Sequence, residues 1–88
     1  MEVLDQGKRV IKISYERIIH IYKHPEMQNR IGWVEEAIRW PDFIEEDLYR
    51  KERRYYYKYL REEKKYIMVV IRIKGNEGEV ITAYLVEK

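Results

Sequence analysis

In the first half of the chain apolar residues recur with helical spacing; in the second half they alternate along the backbone. Val10 to Ser14 is short and β-branched and predicts a short strand or extended arm. Ser14 has the character of a helix N-cap, with Glu16 in the first turn where the helix dipole favours an acid. Tyr15, Ile18, Ile19 and Tyr22 follow at i, i+3, i+4 and i+7, one apolar stripe of a first helix. Pro25 disfavours helical geometry at His24, so that helix ends there. A second helix is expected from about Gln28 to Arg39, with Ile31, Val34 and Ile38 buried. Trp33, Ala37 and Trp40 form a neighbouring stripe, and Pro41 stops the helix.

Beyond Pro41 the period becomes two. Phe43 to Glu46 fits a short strand. Arg53 to Leu60 alternates, with Tyr55, Tyr57 and Tyr59 on one face and Arg54, Tyr56 and Lys58 on the other. Tyr66 to Ile73 is long and β-branched, as a central strand is. Lys74 to Gly78 is punctuated by glycine and reads as a hairpin loop, and Glu79 to Val86 is the last strand. The expectation is an α+β domain, with two N-terminal helices packed on a roughly four-stranded antiparallel sheet. If the meander follows chain order, the strand from Glu79 is an exposed edge.

Composition bounds the function. With 88 residues the chain is expected to form a single domain over 1–88, with one modest core. Its nine tyrosines and two tryptophans argue against disorder. No run approaches the ~18 apolar residues of a membrane span, and Met1 to Lys8 carries charge where a secretory signal is apolar. There is no cysteine, hence no disulfide, thiolate zinc site or cysteine nucleophile. A cytoplasmic location is expected. Ser14 and Thr82 are the only Ser and Thr, and Lys, Arg and Glu fill the polar surface, a thermophile-like composition.

The formal net charge of +2 conceals segregation. Glu26 to Asp47 holds seven acidic and two basic residues, whereas Arg50 to Lys74 holds ten basic and three acidic. The two stretches either pair with each other or leave a basic face for a polyanion.

Two places carry candidate chemistry. Glu16, His20 and His24 are spaced at i, i+4 and i+8 on the first helix. A His pair at i, i+4 can hold a metal, but the HExxH order is absent and no further ligand cluster appears, so no metal or cofactor is expected. Histidine near a helix C-terminus otherwise serves the dipole. The second place is Arg53-Arg54-Tyr55-Tyr56-Tyr57-Lys58-Tyr59, where cations suit phosphates and tyrosines can stack on bases. Its bland counterpart is an amphipathic strand with the Tyr55, Tyr57 and Tyr59 face in the core and the Arg54, Tyr56 and Lys58 face in solvent. Thr82, beside Tyr84 on the last strand, needs no functional explanation as a β-branched residue.

The order of these pieces adds to that picture. Ile-Ser-Tyr-Glu-Arg-Ile-Ile-His-Ile (Ile13 to Ile21) is followed by His24-Pro25-Glu26 and Pro41-Asp42. Arg54-Tyr55-Tyr56-Tyr57-Lys58, Val69-Val70 and Ile81-Thr82-Ala83-Tyr84 come after. From Ile13 to Tyr84 the succession resembles the phage-associated nuclease-like families of the barnase–EndoU–colicin–RelE group. The resemblance implies a barnase/RelE-like fold and a metal-independent, toxin-like endoribonuclease with RNA as partner. It also leaves room for an antitoxin protein or a homodimer. By resemblance, the catalytic set is His24, Arg54, Lys58 and Thr82, with Tyr56, Tyr57, Tyr84 and Arg53 as RNA contacts. Attack by the RNA 2′-OH needs no protein nucleophile, only a proton-transfer group and stabilisation of phosphate charge. A single convincing histidine leaves the second proton-transfer partner open among a tyrosine, Lys58 and Glu26. The alternative is a non-catalytic RNA- or protein-binding module on the same scaffold.

Overall fold

The computed structural model describes residues 1–88. Strands β1 (Glu2–Leu4) and β2 (Val10–Lys12) precede helix α1 (Tyr15–Tyr22), a 3-10 turn (Pro25–Met27) and helix α2 (Ile31–Arg39). Strands β3 (Phe43–Glu46), β4 (Arg53–Leu60), β5 (Lys65–Lys74) and β6 (Glu77–Val86) complete the chain.

The α+β class stands, but the four-stranded antiparallel sheet does not. One six-stranded mixed sheet runs β1-β2-β6-β5-β4-β3, with β2 parallel to β6 and every other pair antiparallel. Strand β2 falls within the Val10 to Ser14 segment expected as a short strand or extended arm, whereas β1, of three residues, is too short to show a period. Their connection is held by Asp5, whose Oδ1 accepts from the Arg9 N–H at 2.8 Å, while Lys8 takes positive φ. Such side-chain-to-backbone bonds make aspartate a turn former. The expected edge at Glu79 is corrected too. Glu77 to Glu79 pair with β2, and the sheet ends at β1 and β3. From Val80 onward, however, no strand covers the outer side of β6. The register of β5 on β6 shifts between Val70 and Ile71, so Ile81 lies in a bulge between Val80 and Thr82.

The helices cover one face of the sheet. Ile11, Ile13, Ile21, Met27, Val34, Ile38, Ile67, Val69 and Ile71 form its core. Full burial of such a side chain is worth about 1.5–3 kcal/mol. Ser14 caps α1 as expected, accepting from the Arg17 N–H at 3.1 Å. The buried side of α1 differs from the expected stripe: Ile21 is fully buried, whereas Tyr15 is 76 % and Ile19 46 % exposed. Apolar residues at 15, 18, 19, 21 and 22 allow two stripes, and only docking chooses between them. Helix α2 begins at Ile31 because Asn29, at φ 60°, breaks the expected first turn.

The sheet is strongly curled. Strand β1 is four places from β4 in the sheet order, roughly 19 Å in a flat sheet at ~4.8 Å per strand. Asp5, just beyond β1, nevertheless accepts a hydrogen bond from the Tyr56 hydroxyl at 2.7 Å. Close packing inside the curl explains Gly78: a Cβ there would lie 2.8 Å from Ile11 Cδ1 and 3.1 Å from Ile71 Cγ2.

Candidate functional site

Alternation along β4 places Arg54, Tyr56 and Lys58 opposite Ile71, Val69 and Ile67, on the helix-covered face. Neither sequence expectation for this triad holds in full, because that face is the main core and not a solvated surface. Tyr56 is 1 % exposed, and burial followed by its bond to Asp5 pushes its hydroxyl pKa upward. The Arg54 guanidinium donates to the Lys51 and Arg53 carbonyls and pairs with Glu46 at 3.7 Å. Lys58 is half-buried on the same side. Arg53 falls on the other face; its Nε is buried with no hydrogen-bond partner.

That other face carries no helix. Its rows run Thr82–Val70–Tyr55–Glu45 and Tyr84–Met68–Tyr57–Phe43, with Val86–Tyr66–Tyr59 beyond them. The rings shield one another: Phe43 stacks on Tyr57 at 4.5 Å, and Tyr66 meets Tyr59 edge-on at 5.1 Å. Lys88 lies over Tyr57 at 5.0 Å and bonds the Glu45 carboxylate at 3.0 Å. Lys88, then the Tyr57 hydroxyl, hold the Glu45 carboxyl below its usual range. Tyr57 is therefore buried, while Tyr55, Tyr66 and Tyr84 are half-buried and Tyr59 is exposed.

His24 reaches round the uncovered outer side of β6. Pro25 ends helical geometry, leaving His24 extended at the start of the 3-10 turn with its ring 5.6 Å from that of Tyr84. Its Nδ1 is 3.9 Å from Glu26 Oε1, within ion-pair reach when the imidazole is protonated. Thr82 lies two residues from Tyr84 on the same face. Nearer the start of α1, Arg17 Nη1 donates to the Ile81 carbonyl at 3.2 Å, next to Thr82 in the chain. Arg17 was not singled out in the sequence; it stands seven residues before His24, in the first turn of α1. His20 and His24 lie 6.5 Å apart, and no group of three His, Asp or Glu side chains is placed to share a metal ion.

The structure thus sets His24 against Tyr84, with Thr82 two residues away on the same strand face and Arg17 bound to the neighbouring Ile81 carbonyl. It keeps Arg54, Tyr56 and Lys58 on the far side of the sheet from Thr82. Tyr57 lies on the open face but beneath Phe43 and Lys88.

A second place on the open face escaped the sequence reading, the loop between β3 and β4. Asp47 Oδ1 accepts from the Tyr49 and Arg50 N–H groups at 2.8 and 2.9 Å, and Oδ2 accepts from the Tyr55 hydroxyl. The Tyr55 bond first, then the two backbone N–H groups, pull the Asp47 pKa down to about 2. The fixed loop holds Leu48 and Tyr49 out in solvent, 90 % and 91 % exposed. Beneath it a shallow cleft of about 670 Å³ runs onto Tyr55, Tyr57 and Met68. Only an acid followed by two bulky residues, Leu48 and Tyr49, where a turn is usually polar, hints at this feature in the sequence.

No helix is long and apolar enough to cross a membrane. No protein-family model, curated protein or solved structure matches the chain.

Proposed function

We propose that this protein binds single-stranded RNA on the open sheet face and cleaves it at the His24 corner without a metal. The observation that carries this reading is the His24 ring set against Tyr84, beside Thr82, at the rim of an aromatic platform free of helices. Half-exposed tyrosines offer π-faces to unstacked bases. Histidine transfers protons near neutral pH, and such transfer is worth ~10²–10⁴-fold in rate. In the proposed reaction His24 takes the proton from the RNA 2′-OH as that oxygen attacks phosphorus. The 5′-oxygen leaves with a proton from the Tyr84 hydroxyl or water, giving a cyclic phosphate. Arg17, with guanidinium donors beyond the one bound to Ile81, stabilises the charge on phosphorus, and Thr82 orients a phosphate oxygen. The resemblance to the barnase–EndoU–colicin–RelE group supports a role for His24 and Thr82. Its Arg54 and Lys58 counterparts drop out of the proposal, since both face the helices.

That separation also favours a second reading, a non-catalytic RNA-binding module. Labelled single-stranded RNA incubated in EDTA with wild type, His24→Ala and Arg17→Ala distinguishes the two. Cleavage lost at least a hundredfold in His24→Ala, with RNA still bound, supports catalysis. Salt-sensitive binding with no products from any of the three proteins leaves only the binding module.

A further inference from the structure

We infer that the loop between β3 and β4 is a second RNA subsite, in which Tyr49 stacks on a base and Arg50 and Lys51 hold the adjoining phosphates. The inference rests on the RNA reading above and extends the bound strand across the sheet. Its starting point is the exposure of Leu48 and Tyr49. Two adjacent bulky side chains in water are unfavourable, and a slack loop would fold them against Met68 or Tyr57. Here the Asp47 side chain bonds the next turn of backbone, and the Arg53 N–H donates to the Arg50 carbonyl at 3.0 Å. The loop is preorganised to present them, which lowers the ordering cost of binding.

Charge selects the partner. The Asp47 carboxylate is bound by the Tyr55 hydroxyl and backbone N–H groups, Glu45 pairs with Lys88, and Glu46 pairs with Arg54. Arg50, Lys51 and Glu52 are exposed with no side-chain ion pair, so the loop presents two cations against one free carboxylate beside an exposed aromatic ring. That pairing of ring and cation fits a single-stranded polyanion with stackable bases. Glu45 and Glu46, though paired, are exposed and keep lone pairs, so they disfavour phosphate in the cleft and can accept hydrogen bonds from amino groups of bases. The base therefore enters the cleft with phosphates outside on Arg50 and Lys51, and bases bearing an exocyclic amine are preferred over uracil. From Tyr84 on β6 to Tyr57 on β4 is two strand steps, roughly 10 Å, and the loop lies beyond. A dinucleotide at the His24 corner does not reach it; an octanucleotide does.

The experiment measures fluorescence anisotropy of labelled dinucleotide and octanucleotide RNAs, adenine-rich and uracil-only, with wild type, Tyr49→Ala and Tyr49→Phe. Tyr49→Ala is expected to weaken the adenine-rich octanucleotide about tenfold, the scale of stacking on one base, and to leave the dinucleotide unchanged. Tyr49→Phe, which keeps the ring, retains wild-type affinity. Equal octanucleotide affinity for wild type and Tyr49→Ala overturns the subsite while leaving RNA binding intact. No octanucleotide binding by wild type at low salt overturns the RNA reading and the subsite together. Co-sedimentation with phosphatidylserine–phosphatidylcholine vesicles that depends on Tyr49, without RNA binding, overturns the subsite in favour of a lipid surface.

Discussion

The Tyr56 hydroxyl donates to the Asp5 carboxylate across 2.7 Å, joining the middle of β4 to the turn that follows β1. Both groups are buried; Asp5 Oδ1 accepts from the Arg9 N–H at 2.8 Å, and the Arg9 guanidinium lies 3.6 Å from Oδ2, the oxygen that Tyr56 bonds. Tyr56 is thus a clasp of the curled sheet and not an RNA contact. Tyr56→Phe leaves a buried carboxylate oxygen without its donor and is expected to cost about 1–3 kcal/mol in urea unfolding. RNA affinity should be unchanged under native conditions. A loss of RNA binding without loss of stability overturns this assignment.

Gly78 is required for close packing between β2 and β5. Of the side chains a Cβ would meet, Ile11 and Ile71 are fully buried with little room to retreat, and Ile73, at 3.1 Å, is partly buried. Gly78→Ala is expected to destabilise by about 1–3 kcal/mol, the usual cost of overpacking, and Gly78→Val by more. Paired thermal denaturation of the two variants checks the order.

Arg54 and Lys58 look alike in the sequence with Arg50 and Lys51, yet the two pairs occupy different environments. Arg50→Ala should reduce the slope of log binding constant against log salt by about 0.7, the value for one fewer phosphate neutralised on a single strand. Arg54→Ala should leave the slope unchanged and lower stability by removing its bonds to the Lys51 and Arg53 carbonyls. Titrations of both variants at several salt concentrations separate the two outcomes.

The loop between β3 and β4 should be sensitive to acid. Asp47 has a folded-state pKa of about 2, below its ordinary 3.8. Its contribution is therefore complete above pH 4 and is lost as pH falls from about 4 towards 2. Amide exchange at Tyr49 and Arg50 is expected to stay protected from pH 5 to 8. Asp47→Asn keeps an acceptor and part of that protection, whereas Asp47→Ala removes it at every pH.

Both helices and β4 to β6 were legible because each carries a period or a β-branched run over enough residues, with β3 expected as a short strand after Pro41, and Ser14 and Pro25 punctuate the helices. Strand β1 was not, since three residues cannot display alternation; β2 was legible as the β-branched Val10 to Ser14 segment, but its pairing with distant Glu77 to Glu79 was not. Alternation on β4 correctly separated Tyr55, Tyr57 and Tyr59 from Arg54, Tyr56 and Lys58. It could not say which set meets the helices, because a sheet with tyrosines on both faces has two apolar sides. The His24 corner was half visible: His24, Thr82 and Tyr84 were singled out, while Arg17 depends on a bulge that no local pattern announces.

The parallel pairing of β2 with β6 also orders assembly in time. Strands β3 to β6 are joined by short connections and can zip from neighbour to neighbour, but Val10 meets Glu77 only after nearly the whole chain has been threaded between them. Closing so long a loop carries a large entropy cost that is recovered only once a formed edge is waiting. The β1–β2 ribbon is accordingly the last piece to dock. In that interval the first half of β6 is an unprotected strand, open to mispairing between molecules. Weakening the ribbon should raise aggregation during refolding more than it lowers the stability of the finished fold.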